Sequence, residues 1–246
     1  MFTLFPQVHR ASGLDRQENT DDLIRQLRGM PDEDAVEIDF SRAHGVYPNG
    51  AVPFAAAVSF YRAAGVLITG ANMTKNVERT HLLNPMRIGQ FERFITPLTN
   101  NVWRYDTEEE AQKLADRYVD ALVDQVRCEN GVVDTLNWCL YEVMDNVFQH
   151  SRADGGFVMM QIHKESRKCV IAVGDTGRGI QLSLVAGSTD LDRQRLSQAH
   201  VAIGYAVEQG ITSKGKLNQG NGLFGLKRAS KWRPSPNCVG PWRLVQ

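Results

Sequence analysis

Glu142 and Asn146 stand four residues apart in the segment Glu142-Val-Met-Asp-Asn146. On a helix such residues are neighbours on one side, so a carboxylate and an amide would project together. The carboxylate could polarise an attacking water or hydroxyl. The amide oxygen is a hard ligand suited to Mg²⁺, which keeps several waters and takes its other ligands from phosphates. Further along comes Asp175-Thr-Gly-Arg-Gly179. A carboxylate at a strand end can accept a hydrogen bond from an exocyclic amine, and Gly177 and Gly179 would let the backbone come close to a flat base. The third segment is Gly220-Asn-Gly-Leu-Phe-Gly225. Glycine-loop amides at a helix N-terminus bind phosphate, which would involve Gly220, Gly222 and Gly225, with Lys214 or Lys216 reaching a γ-phosphate.

Charge is distributed in keeping with that chemistry. No acid follows Glu208, whereas Lys214, Lys216, Lys227, Arg228, Lys231, Arg233 and Arg243 do. A basic segment around a glycine loop can meet a triphosphate. Two other phosphate motifs are disfavoured. Gly210-Ile-Thr-Ser-Lys-Gly-Lys216 has the P-loop spacing, but Leu217 stands where a Mg²⁺-binding Ser or Thr is needed, and no strand leads into it. Gly220–Gly225 has the dinucleotide spacing, but no buried strand precedes it and no acid follows for a ribose.

The elements that position these residues are legible from periodicity. Val132–His150 reads as a helix packed through Leu136, Leu140, Val143 and Val147. Glu142 and Asn146 then sit at the margin of that stripe, where a pocket between helix and sheet would open. Gly156–Ile162 and Cys169–Val173 read as strands joined by the polar turn Lys164–Lys168, with Asp175 directly after the second. Thr107 and Glu110 form a capping box that opens a helix over Glu108–Arg127, broken at Glu129-Asn-Gly131.

Taken together and in this order, the three segments resemble the N-box, G1 box and G2 box of the GHKL ATPases, over roughly residues 132–230. That resemblance implies a two-layer α/β sandwich, the Bergerat ATP-binding fold. It assigns general-base work to Glu142, Mg²⁺ ligation to Asn146, and reading of the adenine amino group to Asp175. It makes Gln181–Gln219 a nucleotide lid. The string ending in His150-Ser151 looks more like the anti-sigma serine-kinase branch than the typical sensor kinase, which often has Lys where Gln149 stands. A domain of this family continues after the G2 helix into two or more strands. Here the Pro-rich stretch Trp232–Trp242 leaves room for one short strand, so the domain is expected to be incomplete at its C-terminal end.

The first half reads as a small α/β unit. Thr20–Leu27 has a capping residue and helical spacing, Ala35–Phe40 alternates like a strand, Ala51–Ala64 is a helix ending at Gly65, and Val66–Thr69 is a second strand. Strand, helix, strand with short links implies a parallel crossover. A helical piece around Val77–Phe94 is interrupted by Pro85 and Gly89, and Thr96–Thr107 reads as a linker. The pattern is similar to the STAS domains of anti-sigma-factor antagonists, through Ile38-Asp39-Phe40-Ser41, the loop Val46–Gly50 and His81–Gly89. The family's phosphorylatable serine would fall near Asn49-Gly50, where no hydroxyl stands. The expected division is therefore a STAS-like α/β domain over 1–100 and a GHKL-type domain over 101–246.

Composition bounds the rest. The chain has 246 residues, 23% charged and 42% hydrophobic, with zero formal net charge. Those are ordinary values for a soluble protein and give no reason to expect nucleic acid or membrane as a partner. Met1–Pro6 lacks the basic start and apolar core of a signal peptide. Cys128, Cys139, Cys169 and Cys238 are scattered, which suits free thiols in a reducing cytoplasm. No His lies in 82–149, so histidine autophosphorylation is disfavoured. The expected function is an ATP-dependent conformational switch with slow hydrolysis or phosphotransfer. It would use ATP and Mg²⁺ and act on a protein partner, with a second copy of the chain as one candidate. An anti-sigma-like serine protein kinase and a non-catalytic binding module are the alternatives.

Overall fold

A computed structural model describes residues 7–10, 17–28, 35–43, 45–91, 97–128, 131–166, 168–187, 195–208 and 243–245. The fold is mixed α/β, built on two sheets. The first runs through β1 (Gln7–Arg10), α1 (Gln17–Arg28), β2 (Ala35–Asp39), α2 (Pro48–Ala63) and β3 (Leu67–Ala71). Its strands lie in the order β1-β2-β3 and all pair in parallel, with Val36 opposite Ile68 and Ile38 opposite Gly70.

Local chemistry explains the bounds of α2. Pro48 takes the first turn, where no amide partner is needed. At the other end Gly65 adopts φ +96°, its amide donates to Arg62 O at 3.0 Å, and Val66 N donates to Tyr61 O at 3.0 Å. This is a Schellman stop, which a glycine enters without Cβ strain. Before Arg62 the helix carries no charge, and Ala51, Val52, Phe54, Ala55, Ala56 and Val58 are all buried. An α-helix apolar on all sides must be covered on all sides.

The second sheet supplies that cover. After α3 (Lys75–Glu78) come β4 (Met86–Arg87), α4 (Ile88–Phe91) and β5 (Trp103–Tyr105). Then follow α5 (Glu108–Gln125), α6 (Val132–Asn146) and a π turn over Val147–Ser151. The chain continues as β6 (Gly156–His163), β7 (Lys168–Asp175), α7 (Gly179–Ala186), a 3₁₀ turn (Arg195–Ser197), α8 (Ala199–Ala206) and β8 (Arg243–Val245). The sheet order is β4-β5-β6-β7-β8, with β6 antiparallel to both neighbours and the outer pairs parallel. Alternation splits β6: Val158 and Met160 face α5 and α6, whereas Phe157 and Met159 join α2 in the core that also holds Ile38 and Ile68. Full burial of a side chain such as Phe54 contributes roughly 1.5–3 kcal/mol. β4 lies within the first hundred residues yet pairs with β5.

Five readings of the sequence change. The helix expected to be capped at Thr20 opens earlier, at Gln17, so Thr20 stands inside it and is buried. The expected helical piece around 77–94, described as far as 91, is not one interrupted helix but two single-turn helices, Lys75–Glu78 and Ile88–Phe91, with a two-residue strand before the second. The stretch expected as a linker contains β5, whose Trp103 and Tyr105 are completely buried. Trp103 reaches Leu98 O with its indole N–H at 2.8 Å. On α6, Met144 rather than Val143 enters the core, because the buried stripe runs through Leu136, Cys139, Leu140, Met144 and Val147. Finally, the expected two-layer sandwich gains a layer, since α2 covers the face of the sheet opposite α5 and α6. The capping box is present in altered form: Thr107 Oγ1 accepts from Glu110 N at 3.1 Å, while Glu110 Oε2 reaches back one residue further, to Asp106 N at 2.7 Å. Among the described residues no helix is long and apolar enough to cross a membrane.

Candidate functional site

Asp175 is the last residue of β7, and its neighbours across the sheet define its surroundings. Gly156 stands opposite it on β6, and Tyr105 stands opposite Gly156 on β5. A Cβ on Gly156 would lie 2.8 Å from Tyr105 Cε1 and closer still to the phenol oxygen. The missing side chain therefore leaves room for the Tyr105 ring to lie across the strand. Its hydroxyl donates to Met144 O on α6 at 3.4 Å. Burial first, and then the charges of Asp175 and Asp145, push the Tyr105 phenol far above its ordinary value. Tyr105 and Gly156 thus bring the end of β7 to the C-terminal end of α6. Neither was singled out from the sequence, although a glycine opening a strand is a known sign of close approach.

The turn after β7 tightens the same junction. Gly177 N donates to Asp175 Oδ1 at 2.7 Å, an Asx turn held by one carboxylate oxygen. Gly177 is pressed against the chain, not open to a ligand: its Cβ would come within 2.6 Å of Ser151 Cβ and nearer to Ser151 O. The expected approach of a flat base at Gly177 is thus replaced by an approach of the protein's own backbone. Gly179 does have open space, at φ +74°.

Glu142 and Asn146 lie on α6 as the helical spacing requires, both half-buried. Burial, and secondarily Asp145, hold the Glu142 carboxyl above the ordinary carboxylate range, which makes it a better proton acceptor. Asn146 Nδ2 is buried with no hydrogen-bond partner. Such a donor costs about 1–3 kcal/mol unless an acceptor arrives. The turn that follows Asp175 and the residues on either side of Asn146 meet, Gly177 against Ser151, with Tyr105 reaching Met144 from two strands away.

The remaining expected residues divide cleanly. Lys214, Lys216, Gly220, Gly222 and Gly225 lie outside the described residues. Of the expected lid, 181–187 and 195–208 are described. They form α7 and α8 packed through Leu184, Leu196, Ala202 and Ala206, with Gln181 Nε2 donating to Leu196 O at 3.0 Å and Ser197 O at 2.7 Å. A cleft of ≈ 480 Å³ lies elsewhere, between the end of α5 and the start of α6, lined by Val123, Asp124, Arg127, Cys128 and Val133. Along α6 that is roughly 20 Å from Asn146, too far to serve the same chemistry.

No protein-family model, curated protein or solved structure matches this chain. The residues themselves carry the functional argument. Among the described ones, no cluster of three or more His, Cys, Asp or Glu side chains could hold a metal ion.

Proposed function

We propose that this chain binds ATP with Mg²⁺ as a GHKL-type protein of Bergerat-like fold, and that the nucleotide switches its contacts with a protein partner. One observation supports this above the rest: the Asp175 turn and the Asn146 end of α6 meet at one junction, through Tyr105 and Ser151. The donor set fits the group. Gly177 N occupies Asp175 Oδ1, and the second carboxylate oxygen is the acceptor that would take an exocyclic amine. The orphaned Nδ2 of Asn146 suits a phosphate oxygen, and rotating that amide by 180° presents Oδ1, the atom a hard cation takes. Glu142, one turn earlier and raised in pKa, holds a proton-accepting carboxylate next to the same end of the helix. The cation, when bound, neutralises phosphate charge.

Slow hydrolysis or phosphotransfer to a hydroxyl on a partner would reset the switch, the second being the anti-sigma-like serine-kinase reading. Calorimetric titration with a non-hydrolysable ATP analogue, with and without Mg²⁺, tests the proposal. Micromolar, Mg²⁺-dependent binding is expected, and binding absent under both conditions would overturn it. A search for phosphoprotein after incubation with ATP then separates kinase from ATPase.

A further inference from the structure

Two hydrogen bonds reach the end of the π turn from a residue outside every role above, and a third ties that residue to α7. Arg178 donates from its backbone N to Ser151 O at 2.9 Å, from Nε to His150 O at 2.9 Å and from Nη2 to Ser183 Oγ at 3.2 Å. His150 O and Ser151 O are carbonyls at a helix C-terminus, which lack intrahelical partners and carry partial negative charge. A guanidinium is suited to that place because its donors diverge in a fixed plane and can hold two elements at once. The π turn begins directly after Asn146, and its last residue is the one against which Gly177 packs. Ser151 is itself buried and locked, with Oγ donating to Val147 O at 2.6 Å and accepting from Ala153 N at 2.9 Å.

We propose that Arg178 is a positioning residue: a guanidinium clamp that holds the π turn Val147–Ser151 against the Asp175–Gly177 turn, and so sets the place of Asn146 relative to Asp175. A π turn carries one residue more than an α turn and is rare outside sites where something keeps it. Relaxation to α geometry would swing Ser151 round the axis by about 100°, which removes the acceptor for Arg178 N and the surface for Gly177. The backbone N–H of Arg178 and its guanidinium together hold the offset between the two segments, and the guanidinium's share is the bond from Nε to His150 O. Its importance for ligand binding rests on the nucleotide reading above; its action on the turn does not.

The experiment measures both. Amide hydrogen exchange is followed across residues 147–153 in the ligand-free parent, Arg178→Ala and Arg178→Lys, and each is titrated with a non-hydrolysable ATP analogue and Mg²⁺. Exchange in 147–153 should rise at least tenfold in Arg178→Ala while Val158–Met160 keep parental rates. Arg178→Lys, with a charge but no fork, should fall between. Analogue affinity should drop about tenfold in Arg178→Ala. Unchanged exchange in 147–153 would overturn the clamp, and faster exchange with parental affinity would overturn the positioning role. If Arg178→Ala does not fold, the graded response is read from Arg178→Lys alone, and parental exchange there counts against the clamp. A parent that binds no nucleotide defeats the ATP reading, while the exchange arm still decides whether Arg178 holds the turn.

Discussion

Gly177 and Ser151 are in contact across the junction of two segments far apart in sequence, and the contact leaves no room for a methyl group. Gly177→Ala must therefore move backbone on one side or the other. Overpacking of this kind costs about 1–3 kcal/mol. A urea titration should show a lower midpoint with an unchanged slope. Parental stability would mean that the two segments part easily.

Asp175→Asn separates the turn from the ligand. Asparagine keeps an oxygen for the Gly177 amide, so the melting temperature should stay near the parent's. The lost charge-assisted contact to an adenine amine should weaken the ATP analogue by roughly 2 kcal/mol, or about thirtyfold in Kd. Calorimetry reads this directly, and equal affinity would remove Asp175 from adenine recognition.

Glu142 links pH to stability and turnover. Its carboxyl binds a proton more tightly in the native state than in the unfolded chain. The stability it contributes is therefore complete below the ordinary carboxylate pKa and is lost as pH rises through the raised one. Glu142→Gln mimics the protonated side chain and should not show that loss. Unfolding free energies at a series of pH values should favour the variant increasingly until the native carboxyl is ionised, then level off. Parallel profiles would contradict the raised pKa. In a hydrolysis or phosphotransfer assay, Glu142→Ala should slow turnover by on the order of a hundredfold, and Asn146→Ala should remove the Mg²⁺ dependence of binding.

Much of the scaffold was legible because its periodicity is long enough to show. The stripe on α6 and the apolar runs of β6 and β7 on either side of a polar turn each extend far enough to stand out. β5 has three residues, too few for alternation to register, and its burial depends on partners such as Val158 and Met144 that lie far along the chain. The choice of Met144 over Val143 depends on which way the helix is rolled against the sheet, which local spacing does not determine. α2 carried a readable signal, the lack of any polar face through Val58. Its meaning needed the second sheet to be in view. For the site, the types at Glu142, Asn146 and Asp175 announced their chemistry, while Tyr105, Gly156 and Arg178 act through contacts that only folding creates.

The thiols should sort by reactivity. Burial, then Cys128, pushes the Cys169 thiol up to about 12, and burial, then Glu142, pushes Cys139 up to about 11. The thiolate is the reactive form, so both should resist iodoacetamide at pH 8 in the native protein. Cys128, only partly buried, should be alkylated faster. Peptide mass spectrometry gives the order, and labelling of Cys169 as fast as that of Cys128 would show an open core at β7.

The helix Pro48–Ala63 touches the strand that carries the acid at one telling place. A Cβ on Gly174 would come within 3.0 Å of Val52 Cγ1, and Gly174 is the residue before Asp175. The same helix shares a core with Ile38 and Ile68 of the three-stranded sheet. The two sheets therefore hold one wall in common, and the residue before Asp175 leans on it.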